Sequence, residues 1–187
     1  MSMIKRLVTC MLFAHLWTGP LEAQLEPGTF RVTLSGDVEA VYEGCAVGAG
    51  NGSTIHVFLL LGDVEEVEFG IERLDPEKER FAFSRLPGLT AGPTTPEWRR
   101  RGDAYGQVFV EEEIATIFRG ELQLDFIGTT EIRGKVRGAF ESWLYFTSPS
   151  MVGEIEGAFH VRLNPELGRR MQLGGPDGYR LSSFCGA

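Results

Sequence analysis

One short pattern occurs twice near the C-terminal end of the chain and constrains its fold more than any other stretch. Arg133-Gly134-Lys135-Val136-Arg137-Gly138-Ala139-Phe140 and Val152-Gly153-Glu154-Ile155-Glu156-Gly157-Ala158-Phe159 both read x-Gly-x-(Val/Ile)-x-Gly-Ala-Phe. Side chains alternate faces along a strand, so Val136, Phe140, Leu144 and Phe146 share one side, and Ile155, Phe159, Val161 and Leu163 share one in the second copy. The outward positions hold Lys135 and Arg137 in one copy and Glu154 and Glu156 in the other, a charge match suited to adjacent antiparallel strands. Two copies are too few for a repeat array, so the pattern predicts a single hairpin.

The same alternation recurs upstream. Thr29 to Leu34 places Phe30, Val32 and Leu34 inward, and Gly36-Asp37 supplies a turn. Val38 to Val47 is a second strand, with Val38, Ala40, Tyr42 and Ala46 on one face and Val41, Cys45 and Val47 on the other, which predicts cover on both sides. Asn51-Gly52 is a hairpin signal because both residues tolerate positive φ. Thr54 to Leu61 and Val64 to Ile71 follow, the latter with Val67, Phe69 and Ile71 opposite Glu66, Glu68 and Gly70. Phe81-Ala82-Phe83 begins a short strand, and an irregular stretch at about 87–104 carries Pro87, Pro93 and Pro96. A connection of that length inside a domain is either functional or disordered.

Strands resume at Gln107 to Val110, Ile114 to Phe118 and Glu121 to Phe126, with Leu122, Leu124 and Phe126 on one face of the last. Asn164-Pro165 predicts a short helix, since Asn is a good cap and Pro is favoured at the first helical position. A final strand is expected around Tyr179 to Phe184. With nine to eleven short strands and no long helix pattern, the chain is expected to be all-β, an antiparallel β-sandwich or a barrel-like sheet. Glycines inside strands at Gly44, Gly138 and Gly157 predict bends or close packing, and an aromatic ring over bare backbone would suit Phe140 and Phe159.

The first 23 residues read as a secretory signal peptide. Lys5 and Arg6 precede an apolar run from Leu7 to Trp17, and Leu21-Glu22-Ala23 offers a cleavage site. The run is shorter than the ~20 apolar residues that a membrane-spanning helix needs. Residues 24–187 then form one domain, secreted or periplasmic, without a transmembrane segment. Removing Lys5, Arg6 and Glu22 leaves 16 basic and 25 acidic residues, a net charge of −9. That balance argues against nucleic-acid partners, which require a basic face. Cys45 and Cys185 survive cleavage and are expected to form a disulfide in an oxidising compartment, the alternative being two free thiols.

The signal peptide, the opening Phe30-Arg31-Val32-Thr33-Leu34-Ser35-Gly36-Asp37-Val38-Glu39 strand pair and the late Gly-x-(Val/Ile)-x-Gly-x-Phe strands together give an outline that resembles secreted bacterial β-sandwich proteins of uncharacterised activity. The resemblance implies a fold and a compartment. It carries no activity and no catalytic residues.

Chemistry is sparse. Only His56 and His160 remain after cleavage, His160 outward between Ala158 and Arg162 and His56 opposite the Ile55, Val57 and Leu59 face. A structural zinc needs about four ligands, several of them His or Cys, and no such set exists, so no metal and no cofactor is expected. No Gly-x-Ser-x-Gly elbow marks a nucleophile. Glu65-Glu66, Glu111-Glu112-Glu113 and Glu154/Glu156 are the carboxylates that a glycosidase-like pair would draw on, although a solvated strand face explains each. Trp98-Arg99-Arg100-Arg101 puts a basic, aromatic cluster into the long loop of an acidic protein. Trp98 would be a stacking platform and the arginines hydrogen-bond forks, unless Trp98 packs back on the sheet. Trp143 and Tyr145 share the face opposite Leu144 and Phe146. They are core if a second layer covers them and a ligand platform if none does.

The resulting expectation is a non-enzymatic binding or envelope-associated structural module, its partner a protein or a glycan. The alternatives are a carboxylate-dependent glycan hydrolase and a barrel carrying a small apolar ligand.

Overall fold

Nearly all the apolar alternation in the chain turns out to line the inside of one closed sheet. The computed structural model describes residues 25–50, 53–62, 64–71, 74–75, 77–83, 104–110, 113–142, 150–172 and 181–185. They form β1 (Thr29–Gly36), β2 (Ala40–Gly50), β3 (Ile55–Leu61), β4 (Val64–Ile71), β5 (Arg80–Ala82), β6 (Ala104–Val110), β7 (Glu113–Ile127), β8 (Glu131–Ser142), β9 (Met151–Leu163) and α1 (Pro165–Gln172), followed by a 3₁₀ turn at Leu181–Phe184. The nine strands pair in the order β5-β7-β6-β4-β3-β2-β1-β9-β8, and β8 pairs back onto β7. Eight antiparallel strands therefore close into an up-and-down barrel. The short β5 is the ninth: it lies on β7 through Phe81↔Leu122, on the edge that β6 occupies further along. Of the two architectures expected from sequence, the barrel is the one formed.

The repeated motif is the β8–β9 hairpin, and its register explains its composition. Gly134 lies opposite Phe159, Val136 opposite Gly157, Gly138 opposite Ile155 and Phe140 opposite Gly153. Each inward glycine thus faces a large inward side chain of the other copy. A Cβ on Gly134 would stand 2.7 Å from the Phe159 ring, and one on Gly153 would run into the Phe140 ring. An eight-stranded barrel is just wide enough for side chains to fill, so every large ring needs a bare backbone beside it. Gly44 makes the same room for Phe30, and Gly157 for Val32. The expected charge match is met at one position, where Arg137 faces Glu156, whereas Lys135 faces Ala158 and Glu154 faces Ala139.

The interior is filled from all eight walls. Phe30, Val32 and Leu34 of β1, Ala46 of β2, Val57 and Leu59 of β3, Phe69 of β4, Val108 of β6, Ile117 and Leu122 of β7, Phe140 of β8 and Phe159 of β9 are all at most 1% exposed. The rings of Phe69 and Phe159 meet across the centre at 5.0 Å. Beyond the N-terminal end of β1, β2 and β9 come together directly in a short parallel pairing, Val47↔Arg162 and Gly48↔Leu163. Gly48 there accommodates the side chains of Val161 and Leu163.

Three expectations need correction. The strands expected at Ile114–Phe118 and Glu121–Phe126 are one, β7, of 15 residues. Inward positions are Ala115 and Ile117 before Gly120 but Leu122 and Leu124 after it. The change of phase comes from a register shift between Ile117 and Arg119, with Gly120 at φ +121°. A bulge, rather than a strand end, broke the alternation. A second shift between Leu124 and Phe126 turns Phe126 out of the core, leaving it 39% exposed beneath the Arg133 guanidinium, 4.9 Å from the ring centroid. The described part of the expected final strand differs too: Leu181–Phe184 is a 3₁₀ turn lying on the outside of β2 and β3.

That outside contact is the second layer anticipated for β2. Val47, Ala49, Phe58 and Leu60 point away from the barrel and pack with Leu167 of α1, Leu181, Phe184 and the Cys45–Cys185 disulfide. The bridge has a Cα–Cα distance of 5.9 Å and spans 140 residues of sequence. As expected, Asn164 caps α1, its Oδ1 accepting from the Glu166 and Leu167 amides at 2.9 and 3.2 Å. Among the described residues no helix is long and apolar enough to cross a membrane.

Candidate functional site

With the inside of the barrel occupied, chemistry has to be sought on its outer wall. The outward side chains of β1, β9, β8 and β7 form two rows across the strands. One runs Thr33, Glu156, Arg137, Glu121, and the other Ser35, Glu154, Ala139, Arg119. Together they line an open groove of about 720 Å³. Small side chains and backbone make its floor, at Ala139, Gly120, Gly138 and Gly157. At its β7 side the bend at Gly120 presses the strand so close to β8 that a Cβ there would collide with the Arg137 carbonyl.

In the groove Arg137 stands between Glu156 and Glu121 of the neighbouring strands. Glu121 receives Arg80 of β5 at 3.2 Å. Among the described residues, no ion pair engages Arg119, Arg137, Glu154 or Glu156. With Glu121 engaged by Arg80, the β7–β8 side presents two further guanidinium groups and the β9 side two carboxylates. Among the described residues, no aromatic side chain lines the groove.

On the opposite wall, His56 of β3, Gly70 of β4 and Tyr105 of β6 stand in one row. The tyrosine lies over the bare backbone of Gly70, and its hydroxyl reaches His56 Nδ1 at 2.5 Å. Burial lowers the His56 pKa, which favours a neutral ring hydrogen-bonded to the tyrosine hydroxyl. One row along, Glu68 lies between Phe58 and Gln107, and burial raises its pKa. Sequence placed both His56 and Glu68 on the outward face but did not single out their pairing with Tyr105 or the burial of Glu68. The available signal was Gly70, a strand glycine flanked by positions that needed its space.

His160 is buried on the outside of β9, at 8% exposure. Its Nδ1 lies 3.1 Å from the Leu25 carbonyl and its Nε2 3.1 Å from a Glu131 carboxylate oxygen, tying the first described residues to β8. His56 and His160 are on different walls, and among the described residues no three His, Cys, Asp or Glu side chains gather as a metal would require.

Trp98, Arg99, Arg100, Arg101, Trp143 and Tyr145, the binding candidates expected from sequence, lie outside the described residues, as do Glu111, Glu112 and the leader at 1–23. Of the carboxylate pairs, Glu154 and Glu156 are brought into the groove, while Glu113 accepts the Ser150 hydroxyl at 2.9 Å. No family model, no curated protein and no solved structure matches the chain.

Proposed function

We propose that this protein is a secreted or periplasmic binding module, without catalytic activity, that takes a protein or glycan partner on the outer wall of its barrel. The observation that carries this reading is the contrast between the two faces of the β1–β9–β8–β7 wall. Inside, Phe30, Val136, Phe140 and Phe159 fill the available space. Outside lies an open groove in which, among the described residues, Arg119, Arg137, Glu154 and Glu156 join no ion pair.

A carrier of small apolar ligands would need an interior cavity, and the packed core speaks against it. A carboxylate hydrolase would need its acid-form carboxylate at the groove. Glu68, whose acid form burial favours, is on β4 and does not line it. The disulfide suits the oxidising compartment that the leader implies.

A thermal-shift screen of the disulfide-bonded protein against peptides, oligosaccharides, cell-wall fragments, fatty acids and calcium tests the proposal. A ligand at ~100 times its dissociation constant adds about 2.7 kcal/mol and moves the midpoint by several degrees. The expected result is a shift from a peptide or glycan that disappears in Ala139→Arg, which fills the groove floor. A shift from fatty acids alone, or one that Ala139→Arg leaves unchanged, overturns it.

A further inference from the structure

We infer that the groove on the outer wall is built for an extended peptide segment carrying an acidic and a basic side chain two residues apart. This rests on the binding reading above and names the partner class for that same site. Three observations carry it.

The first is the polarity of the groove. Arg119 and Arg137 stand on adjacent strands at one side, and Glu154 and Glu156 stand on β9 at the other. Glu121 is already engaged by Arg80. A partner of uniform charge would be attracted by one side and repelled by the other. A partner with both signs, its carboxylate over the arginines and its cation over the glutamates, is favoured by both.

The second is spacing. Neighbouring strands are ~4.8 Å apart, so the four strands that line the groove span roughly 14 Å from β1 to β7. An extended peptide advances ~3.3 Å per residue, so four or five residues cross that distance. Its same-facing side chains at i and i+2 are then about 6.6 Å apart. Arg119 and Glu154 flank Ala139 at two strand spacings and Arg137 faces Glu156 at one, which brackets that separation. The long side chains on both sides make up the difference.

The third is the chemistry of the walls. Carbohydrate recognition draws heavily on stacking against aromatic rings, and among the described residues none lines this groove. What lines it instead is guanidinium, carboxylate, the hydroxyls of Thr33 and Ser35, and glycine backbone. A bidentate guanidinium–carboxylate fork is the strongest contact this set can make.

The test is ¹⁵N chemical-shift titration of the purified disulfide-bonded protein at low and at 0.5 M salt. The probes are Ac-Gly-Glu-Ala-Lys-Gly-NH₂, its Lys/Glu exchanged counterpart, all-Glu, all-Lys and all-Gln versions, and chitotetraose. The mixed-charge peptides are expected to shift amides at 119–121, 137–139 and 154–157, to bind about tenfold more tightly than the all-Glu, all-Lys and all-Gln peptides, and to weaken in salt. Arg137→Glu is expected to lower the mixed-peptide affinity about tenfold, with unchanged amide shifts elsewhere reporting an intact fold. Arg137→Glu combined with Glu156→Arg should recover it. Equal binding of mixed and single-sign peptides overturns the inference. So does a groove that responds to chitotetraose and not to peptides, although the proposed binding module then stands. If no probe shifts groove amides while one binds elsewhere, both fall.

Discussion

At the scale of single residues, the fold is governed by which positions lack a side chain. Gly134 and Gly153 are inward positions opposite Phe159 and Phe140, and the rings occupy the volume the glycines leave. Their pattern was legible in sequence because glycine next to alternating Val, Ile and Phe has few other uses in a strand. The partner of each ring was not, because it depends on register. His56 and Glu68 show the same division on the outside. Their outward orientation follows from alternation, but their pKa shifts come from burial, which only neighbouring strands and cover create.

Those two shifts predict opposing pH dependences. His56 has a folded pKa below its unfolded value, so its contribution is present above about pH 6.5 and is lost as pH falls toward the lowered folded value. Glu68 has a raised folded pKa, so its contribution is present below about pH 4.3 and is lost as pH rises through the folded value. Glu68→Gln is therefore expected to raise the thermal midpoint at pH 8 and leave it unchanged at pH 3.5. His56→Gln should flatten the decline between pH 7 and pH 5. Melting curves across that range check both, and a Glu68→Gln gain confined to acidic pH would contradict the assignment.

At the scale of elements, β7 carries the geometry that makes the site. Its bulge lets one continuous strand serve β6 and then β5 on one edge while following β8 along the other. The phase change across Phe118-Arg119-Gly120 reads in sequence as a strand boundary, because alternation is a local signal that a bulge interrupts without ending the pairing. Gly120 combines a left-handed φ of +121° with close approach to the Arg137 carbonyl. Gly120→Ala is expected to cost about 1–3 kcal/mol, or roughly 2–4 °C per kcal/mol for a chain of this length, in a calorimetric scan. It should also perturb Arg119 and Arg137 together, readable as coupled amide shifts on β7 and β8. The C-terminal elements illustrate the opposite case. The Asn164 cap is legible from two adjacent residues, but the 3₁₀ turn reads in sequence as a strand because its surroundings, the outer apolar face of β2 and β3, are supplied by residues more than a hundred positions away.

At the scale of the whole molecule, one pairing closes the run of strands into a barrel, that of β1 with β9 at its two ends. Closure removes free edges and gives one packed interior. The Cys45–Cys185 bridge then fastens the C-terminal layer to the wall. Replacing both cysteines with alanine is expected to lower stability by about 5 kcal/mol at most, the chain-entropy value for so long a loop. Hydrogen exchange should show the earliest loss of protection at Leu181–Phe184, with the β-sheet circular dichroism retained. Loss of the sheet signal at the same temperature as the 3₁₀ turn would show instead that the bridge holds the barrel itself together.

The sequence by itself determined the all-β class, the inward face of almost every strand, the β8–β9 hairpin, the α1 cap and the cysteines that pair. These depend on side-chain period and on neighbours a few residues apart. Only the tertiary structure decided that the sheet closes, that β7 is one strand, and that Arg119, Arg137, Glu154 and Glu156 surround a common groove. Those outcomes depend on which distant strands meet and in what register, and a local pattern of apolar and polar residues is compatible with more than one such arrangement.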